Sequence, residues 1–142
     1  MVENNKVIVE FDAISENESF ARNLVGFYAL SLNPSLSEIT DIKTAVSEAV
    51  TNCIVHAYIN SVGKVKMEIF TYKNDLHIKV IDEGIGIENL NQALEPFFTT
   101  GEEDERSGMG FTIIKSFMDD LEVSSTVNKG TTVYMIKTIG LK

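Results

Sequence analysis

Apolar positions along the chain switch between a period of two and a period near 3.6, and the switches divide it into strands and helices. In KVIVEFDA (6–13), Val7, Val9 and Phe11 alternate with Ile8 and Glu10, which predicts a strand with one fully apolar face. Ser15-x-x-Glu18 is a capping-box pattern that opens a helix. Phe20, Leu24, Phe27, Tyr28 and Leu32 line its predicted core face, and Asn33-Pro34 ends it. Arg22 falls on the outer side, where most arginines are merely solvated. Ser35-x-x-Glu38 repeats the capping box and starts a longer helix through DIKTAVSEAVTNCIVHAYI (41–59).

After a turn at Asn60, Ser61 and Gly63, KVKMEIFTY (64–72) and LHIKVID (76–82) read as a hairpin joined at Lys73-Asn74-Asp75. Leu76, Ile78 and Val80 share one face of the second strand, and Asp82 sits at its end. Residues 88–95 predict a short helix that stops before Pro96. PFFTTGEEDERSG (96–108) is too polar for core and long for a plain connection, so it is either disordered or a functional lid. GFTIIKSFMDDL (110–121) follows as a helix with Ile113, Ile114, Phe117 and Met118 inward. LEVSSTV (121–127) and TTVYMIKTI (131–139) close the chain as a hairpin across Asn128-Lys129-Gly130. The order β-α-α-β-β-(α)-lid-α-β-β predicts an α+β fold, a two-layer sandwich whose mostly antiparallel mixed sheet is covered on one face by helices. No repeat or linker interrupts the pattern, and residues 1–142 are expected to form one domain.

Composition narrows the function classes. A net charge of −9, from 12 basic and 21 acidic residues, argues against a nucleic-acid backbone as partner. It leaves nucleotide binding open, because Mg²⁺ and backbone N–H groups carry much of phosphate recognition. No apolar run approaches membrane-spanning length and the N-terminus does not read as a signal peptide. The single cysteine, Cys53, suits a reducing cytosol. With no flanking positive charge to lower its pKa, it reads as a small core hydrophobe rather than a nucleophile. A cytoplasmic protein is expected.

Candidate chemistry centres on the long helix. Glu48, Asn52 and His56 are spaced four apart, so on an α-helix they form one polar row, each about 40° further round than the last. Around them lie Ile42, Ala45, Val46, Ala49, Val50, Cys53, Ile54, Val55 and Ala57. On the helix alone, the row either faces a polar cavity or consists of core groups satisfied by hydrogen bonds. Two glycine clusters, DEGIGI (82–87) and SGMGF (107–111), tip the reading towards a cavity. Gly84 and Gly86 follow a strand end, where a missing side chain permits close backbone approach to a ligand. Gly108 and Gly110 precede a predicted helix, whose free N–H groups and dipole favour phosphate. The Asn52 carboxamide oxygen is a hard ligand suited to Mg²⁺, and Glu48, one turn earlier, suits a general base. His56 either borders the phosphates or is a satisfied core histidine.

Glu48 and Asn52 followed by D-x-G-x-G and then G-x-G is the motif order of the GHKL ATPases, the class of gyrase, Hsp90, histidine kinases and MutL. From about Lys6 to Lys137 the chain resembles a narrower branch, the anti-sigma factor serine kinases. SENESFAR (15–22), VSEAVTN (46–52), PFFTT (96–100), ERSGMGFTI (105–113) and VNKGTTVY (127–134) are most similar to its sporulation form in endospore-forming bacteria. The resemblance implies the Bergerat (GHKL) ATP-binding fold, binding of ATP or ADP with Mg²⁺, and protein serine kinase activity. It also implies a homodimer that inhibits a sporulation sigma factor and phosphorylates a serine on an anti-anti-sigma protein. Carried onto this sequence, it makes Glu48 the general base, Asn52 the Mg²⁺ ligand and Asp82 the acceptor of the adenine amino hydrogens. Thr131 would support that adenine contact, although it is equally readable as an ordinary β-branched strand residue. Arg22 matches an arginine on the face that meets protein partners. His56, Gly84, Gly86, Thr100, Gly108 and Gly110 would border the nucleotide. Residues 97–110 are expected to be a lid over the triphosphate, with Arg106 and Ser107 as its ATP-facing part. The competing expectations are an ATP- or ADP-gated sigma-binding module without phosphotransfer, a general-stress anti-sigma kinase, and a histidine-kinase catalytic domain. Against the last, no phospho-accepting histidine helix precedes residue 15.

Overall fold

The computed structural model describes residues 4–59, 61–95 and 105–140, with 105–109 described by backbone alone. Strands β1 (Asn4–Asp12), β2 (Lys64–Tyr72), β3 (Asp75–Asp82), β4 (Asp120–Thr126) and β5 (Gly130–Thr138) form one sheet in the order β1-β2-β3-β5-β4. The helices are α1 (Glu16–Ala29), α2 (Leu36–Asn52), α3 (Leu90–Ala93) and α4 (Glu105–Phe117). A 3-10 turn, Leu30–Leu32, ends α1, and a π-helical turn, Cys53–Ala57, extends α2.

Each pairing is antiparallel, which corrects the expected mixed sheet. The crossover through α4 brings β4 back parallel to β3, but β5 inserts between them, so no parallel neighbours result. The α+β two-layer expectation holds. Val65, Met67, Ile69, Ile78, Val80 and Met135 of the sheet are buried with Ile42, Ala45, Val46, Ala49 and Val50 of α2. Ala21 and Val25 of α1 and Ile114 of α4 complete the same core. Each fully buried Val, Leu, Ile or Met side chain contributes about 1.5–3 kcal/mol, so this shared face holds the layers together. Among the described residues no helix is long and apolar enough to cross a membrane.

Three local expectations need correction. Leu24, Tyr28 and Leu32 pack against the core as expected, but the fully buried face of α1 is carried by Ala21, Val25, Gly26 and Ala29, while Phe20 and Phe27 are 48% and 73% exposed. Small side chains let α1 pack closely on α2, and a Cβ added at Gly26 would lie 3.1 Å from Lys43 Cδ. Phe20 instead meets Phe11 edge-on, with ring centroids 6.1 Å apart. The capping box at Ser15 does not form: Ser15 is helical, its hydroxyl turns to Glu16, and Glu18 pairs with Arg22. At Ser35 both halves form, Ser35 Oγ accepting from Glu38 N–H (3.1 Å) and Ser35 N–H donating to Glu38 Oε1 (2.8 Å).

The third correction concerns α4, which begins at Glu105 and ends at Phe117 rather than spanning 110–121. Gly108 and Gly110 therefore lie inside the helix, not before it. Two glycines disfavour a helix by about 1 kcal/mol each, but no proline interrupts the segment, and Phe111 and Ile114 bury themselves in the core. At the other end Lys137 Nζ donates to Phe117 C=O (2.7 Å), and Asp119 Oδ2 accepts from Thr138 N–H (2.7 Å), which turns the chain into β4.

Candidate functional site

Asp82 ends β3 beside Thr131 of β5 and is only 7% exposed. Its Oδ1 accepts from Gly84 N–H (2.9 Å) and Thr131 N–H (3.3 Å), and its Oδ2 accepts from the Cys53 thiol (3.5 Å). Backbone N–H donors thus satisfy one carboxylate oxygen, and Asp82 itself lines a pocket. Thr131 Oγ1 shares a 2.8 Å hydrogen bond with Ser125 Oγ, which also accepts from Ile87 N–H (2.8 Å). Ser125 therefore ties β4, β5 and the glycine loop together.

The glycines are there because of what abuts them. A Cβ on Gly84 would overlap the Ala57 carbonyl, and one on Gly130 the Asp82 carbonyl. Gly86, at φ +75°, faces the Thr126 carbonyl. Ile85 N–H donates to Ala57 C=O (2.9 Å) and Asn128 N–H to Ile85 C=O (2.7 Å), so the DEGIGI loop is pinned between the π turn and the β4–β5 hairpin. Tyr58 Oη accepts from Glu83 N–H (2.8 Å) and donates to Lys64 C=O (2.6 Å). Burial pushes its phenol pKa up, against the lowering influence of the Glu83 hydrogen bond.

The pocket floor and walls are apolar: Ala49, Ile87, Ala93, Phe111 and Val133. Asp82 and Thr131 line it with Cys53, and Asn52 and His56 bring further polar groups. Apolar walls with a few convergent polar groups are the usual make-up of a small-molecule or cofactor site. Asn52 ends α2 immediately before the π turn that carries His56. Such turns are rare and concentrate at functional sites. A Cβ built on Gly110 would lie 3.2 Å from Asn52 Nδ2 and 3.3 Å from its Oδ1, so α4 packs its glycine directly on the carboxamide. No group of three or more His, Cys, Asp and Glu side chains clusters for a metal among the described residues. One carboxamide fits an ion held mainly by phosphates and water, as Mg²⁺ usually is.

Glu48 does not share this pocket. It lines a polar groove between α1 and α2 with Arg22, Asn23, Thr40, Lys43, Thr44 and Ser47. Along this row, which turns about 40° per step, Glu48 borders the groove while Asn52 and His56 line the pocket. Arg22, on the outer side as expected, holds Glu18 through an i,i+4 ion pair of 3.2 Å and borders the same groove as Glu48. Arg106, Ser107 and Gly108 fall in the first turns of α4, so the expected lid ends as helix. Thr100 and the rest of that stretch lie outside the described residues.

Asp82, Thr131, Asn52, His56 and Gly86 are thus brought together, with Gly84 bonded to Asp82 and Gly110 packed on Asn52. Sequence reasoning missed Cys53 as a partner of Asp82, and it missed Ser125 and Tyr58 entirely. Ser125 sits in a polar strand stretch with no motif of its own, and Tyr58 gives no signal before the chain folds back on Glu83.

The family model described as the histidine kinase-like ATPase domain matches residues 18–137. An anti-sigma F factor of Caldanaerobacter subterraneus subsp. tengcongensis is 55% identical over 137 residues, covering 96% of each chain. One from Clostridium acetobutylicum is 51% identical over 137 residues, again covering 96% of each. Among solved structures, the RsbU and RsbW domains of Rv1364c from Mycobacterium tuberculosis superpose with a TM-score of 0.68 at 16% identity. That match covers 96% of this chain and 32% of that one. The catalytic domain of histidine kinase ThkA gives 0.60 at 17% identity, covering 94% and 96%. These structural likenesses speak to the fold alone.

Proposed function

The chain belongs to the anti-sigma F factor family, within the histidine kinase-like ATPase domains, and we propose that it is an ATP-dependent protein serine kinase. In this reading it holds a sporulation sigma factor inactive and phosphorylates a serine on an anti-anti-sigma protein. It acts as a cytoplasmic homodimer, with residues 1–142 as one domain. The observation that supports the reading is the pocket that joins Asp82, Thr131 and Asn52, with Glu48 one turn before Asn52 on α2. Asn52 lines the apolar pocket that ends in Asp82, while Glu48, one turn earlier, lines the groove that holds Arg22.

The roles follow from chemistry. Bound ATP supplies the phosphoryl group, and Mg²⁺ neutralises its charge. Asp82, acceptor-only when ionised, takes the adenine amino hydrogens, and Thr131 supports that contact. Gly84 and Gly86 keep the loop backbone close to the base. The Asn52 carboxamide oxygen holds Mg²⁺, and His56 borders the phosphates. Arg106, Ser107, Gly108 and Gly110 of α4, together with Thr100, face the triphosphate side of the nucleotide. Glu48 accepts the proton of the partner's serine hydroxyl as it enters along the groove, and Arg22 contacts the partner there. A catalytic base and a metal ligand on one rigid helix keep a fixed separation, which phosphoryl transfer requires.

The position of Glu48 favours a second reading: it borders the groove and not the pocket, as in a nucleotide-gated sigma-binding module with no transfer step. One experiment separates the two: incubation with γ-labelled Mg-ATP and an anti-anti-sigma partner, followed by acid treatment. Acid-stable label on a partner serine, lost in Glu48→Gln, is the expected result. Acid-labile label would indicate histidine-kinase chemistry, and tight nucleotide binding without label would leave the module.

A further inference from the structure

The Asp82 carboxylate is held unevenly. Both backbone donors, Gly84 N–H and Thr131 N–H, reach Oδ1, and the second does so at a long 3.3 Å. Oδ2, which receives neither of these backbone donors, meets Cys53 Sγ at 3.5 Å. The carboxylate torsion of aspartate is broad and two-fold, so an anchor on Oδ2 matters for where its lone pairs point. Cys53 is 2% exposed and Asp82 7%, so bulk water does not replace the thiol as a donor. Buried beside the carboxylate, the Cys53 sulfur is placed to donate its hydrogen to Oδ2. Both residues line the pocket.

We propose that Cys53 is a positioning residue for base recognition: its S–H fixes the Asp82 Oδ2 edge as an acceptor and so sharpens the preference for a 6-amino over a 6-oxo purine. The inference rests on the nucleotide-binding reading above. An ionised carboxylate only accepts, so it pairs with an amino group and opposes a carbonyl oxygen. Sites built around one such polar pairing discriminate strongly, because the wrong partner leaves buried groups unmatched. Without the thiol the Oδ2 edge can swing away from the base plane, and the discrimination relaxes. The thiol is a weak donor, so its effect is graded rather than absolute.

The test is equilibrium binding of Mg-ATP and Mg-ITP to the full chain as wild type, Cys53→Ala and Cys53→Ser, with thermal melting of each as a folding check. In Cys53→Ala the ATP-to-ITP affinity ratio is expected to fall about threefold to tenfold, the range of one net hydrogen bond. Cys53→Ser, which keeps a donor, is expected to retain the ratio. An unchanged ratio in a folded Cys53→Ala would overturn the proposal. So would a Cys53→Ser variant as relaxed as the alanine, since lost packing rather than the donor would then be responsible. If the wild type bound neither nucleotide, the underlying reading would fail first and take this one with it. Wild-type affinity for both nucleotides with no preference would overturn the Cys53 role alone.

Discussion

Glu48 and Asn52 stand one turn apart on α2 yet open onto different concavities, Asn52 onto the pocket beside Asp82 and Glu48 onto the groove beside Arg22. One rigid helix thus sets the spacing between a residue of the pocket and a residue of the groove.

In the proposed reading, that spacing makes binding and transfer separable by mutation. Glu48→Gln is expected to leave Mg-ATP affinity nearly unchanged while lowering serine phosphorylation about 10²- to 10⁴-fold, the usual worth of a general base. Asn52→Ala is expected to lose the Mg²⁺-dependent part of nucleotide binding. Filter binding of labelled ATP beside a phosphotransfer assay reads both. Equal losses of affinity and rate in Glu48→Gln would mean that the groove and the pocket work as one site.

Much of this was legible before the fold, and the failures have physical causes. Element types followed from period because one sheet face and one stripe of each long helix are buried. The α1 face was misread because a helix wheel ranks large apolar residues, whereas close packing on α2 selected Ala21, Val25 and Ala29 and left Phe27 in solvent. Strand order was not legible, since no local pattern says that β5 rather than β4 pairs with β3. The glycine clusters pointed to the pocket, yet the contact between Gly110 and Asn52 joins residues 58 positions apart and leaves no mark in either motif. The split between Glu48 and Asn52 was hidden for a related reason: spacing gives an angle on a helix, not the neighbour that the angle meets.

Two identical Ser-x-x-Glu patterns offer an internal control for capping. Ser35→Ala removes an acceptor from Glu38 N–H and is expected to destabilise the protein by about 1 kcal/mol. Ser15→Ala removes no cap and is expected to change stability by less than about 0.5 kcal/mol. Urea midpoints with unchanged slope measure both. Equal losses would show that Ser15 caps in solution.

Acid sensitivity should be traceable in part to β2. Burial pushes the Glu68 carboxyl up, but the hydrogen bond and charge of Lys6, with Lys79 and Lys66 behind it, outweigh that and hold its pKa below the ordinary 4.5. A folded-state pKa below the unfolded one contributes stability that is present above the unfolded value and lost as pH falls through the folded value. Glu68→Gln is therefore expected to cost under about 1 kcal/mol near neutrality, the scale of partly exposed ion pairs. The gap to wild type should close as pH drops below about 4.5, the unfolded value. A gap that stayed constant with pH would assign the loss to packing instead of charge.

Gly110→Ala sets helix propensity against the site. In a helix interior alanine is favoured over glycine by about 1 kcal/mol, so on local grounds α4 should gain stability. The new Cβ, however, would lie 3.2 Å from Asn52 Nδ2 and 3.3 Å from Oδ1, tighter than ordinary contact, and the carboxamide must shift by a few tenths of an ångström. Asn52 is half-buried at the end of α2 and can yield, so the fold survives while the ligand geometry does not. The expected outcome is a melting temperature equal to or above wild type together with weakened Mg-dependent ATP binding. Because a propensity effect alone cannot lower affinity, that opposition is the signature of a glycine kept for the site. Unchanged affinity in a stabilised variant would show that the second glycine cluster serves the helix's packing and not the nucleotide.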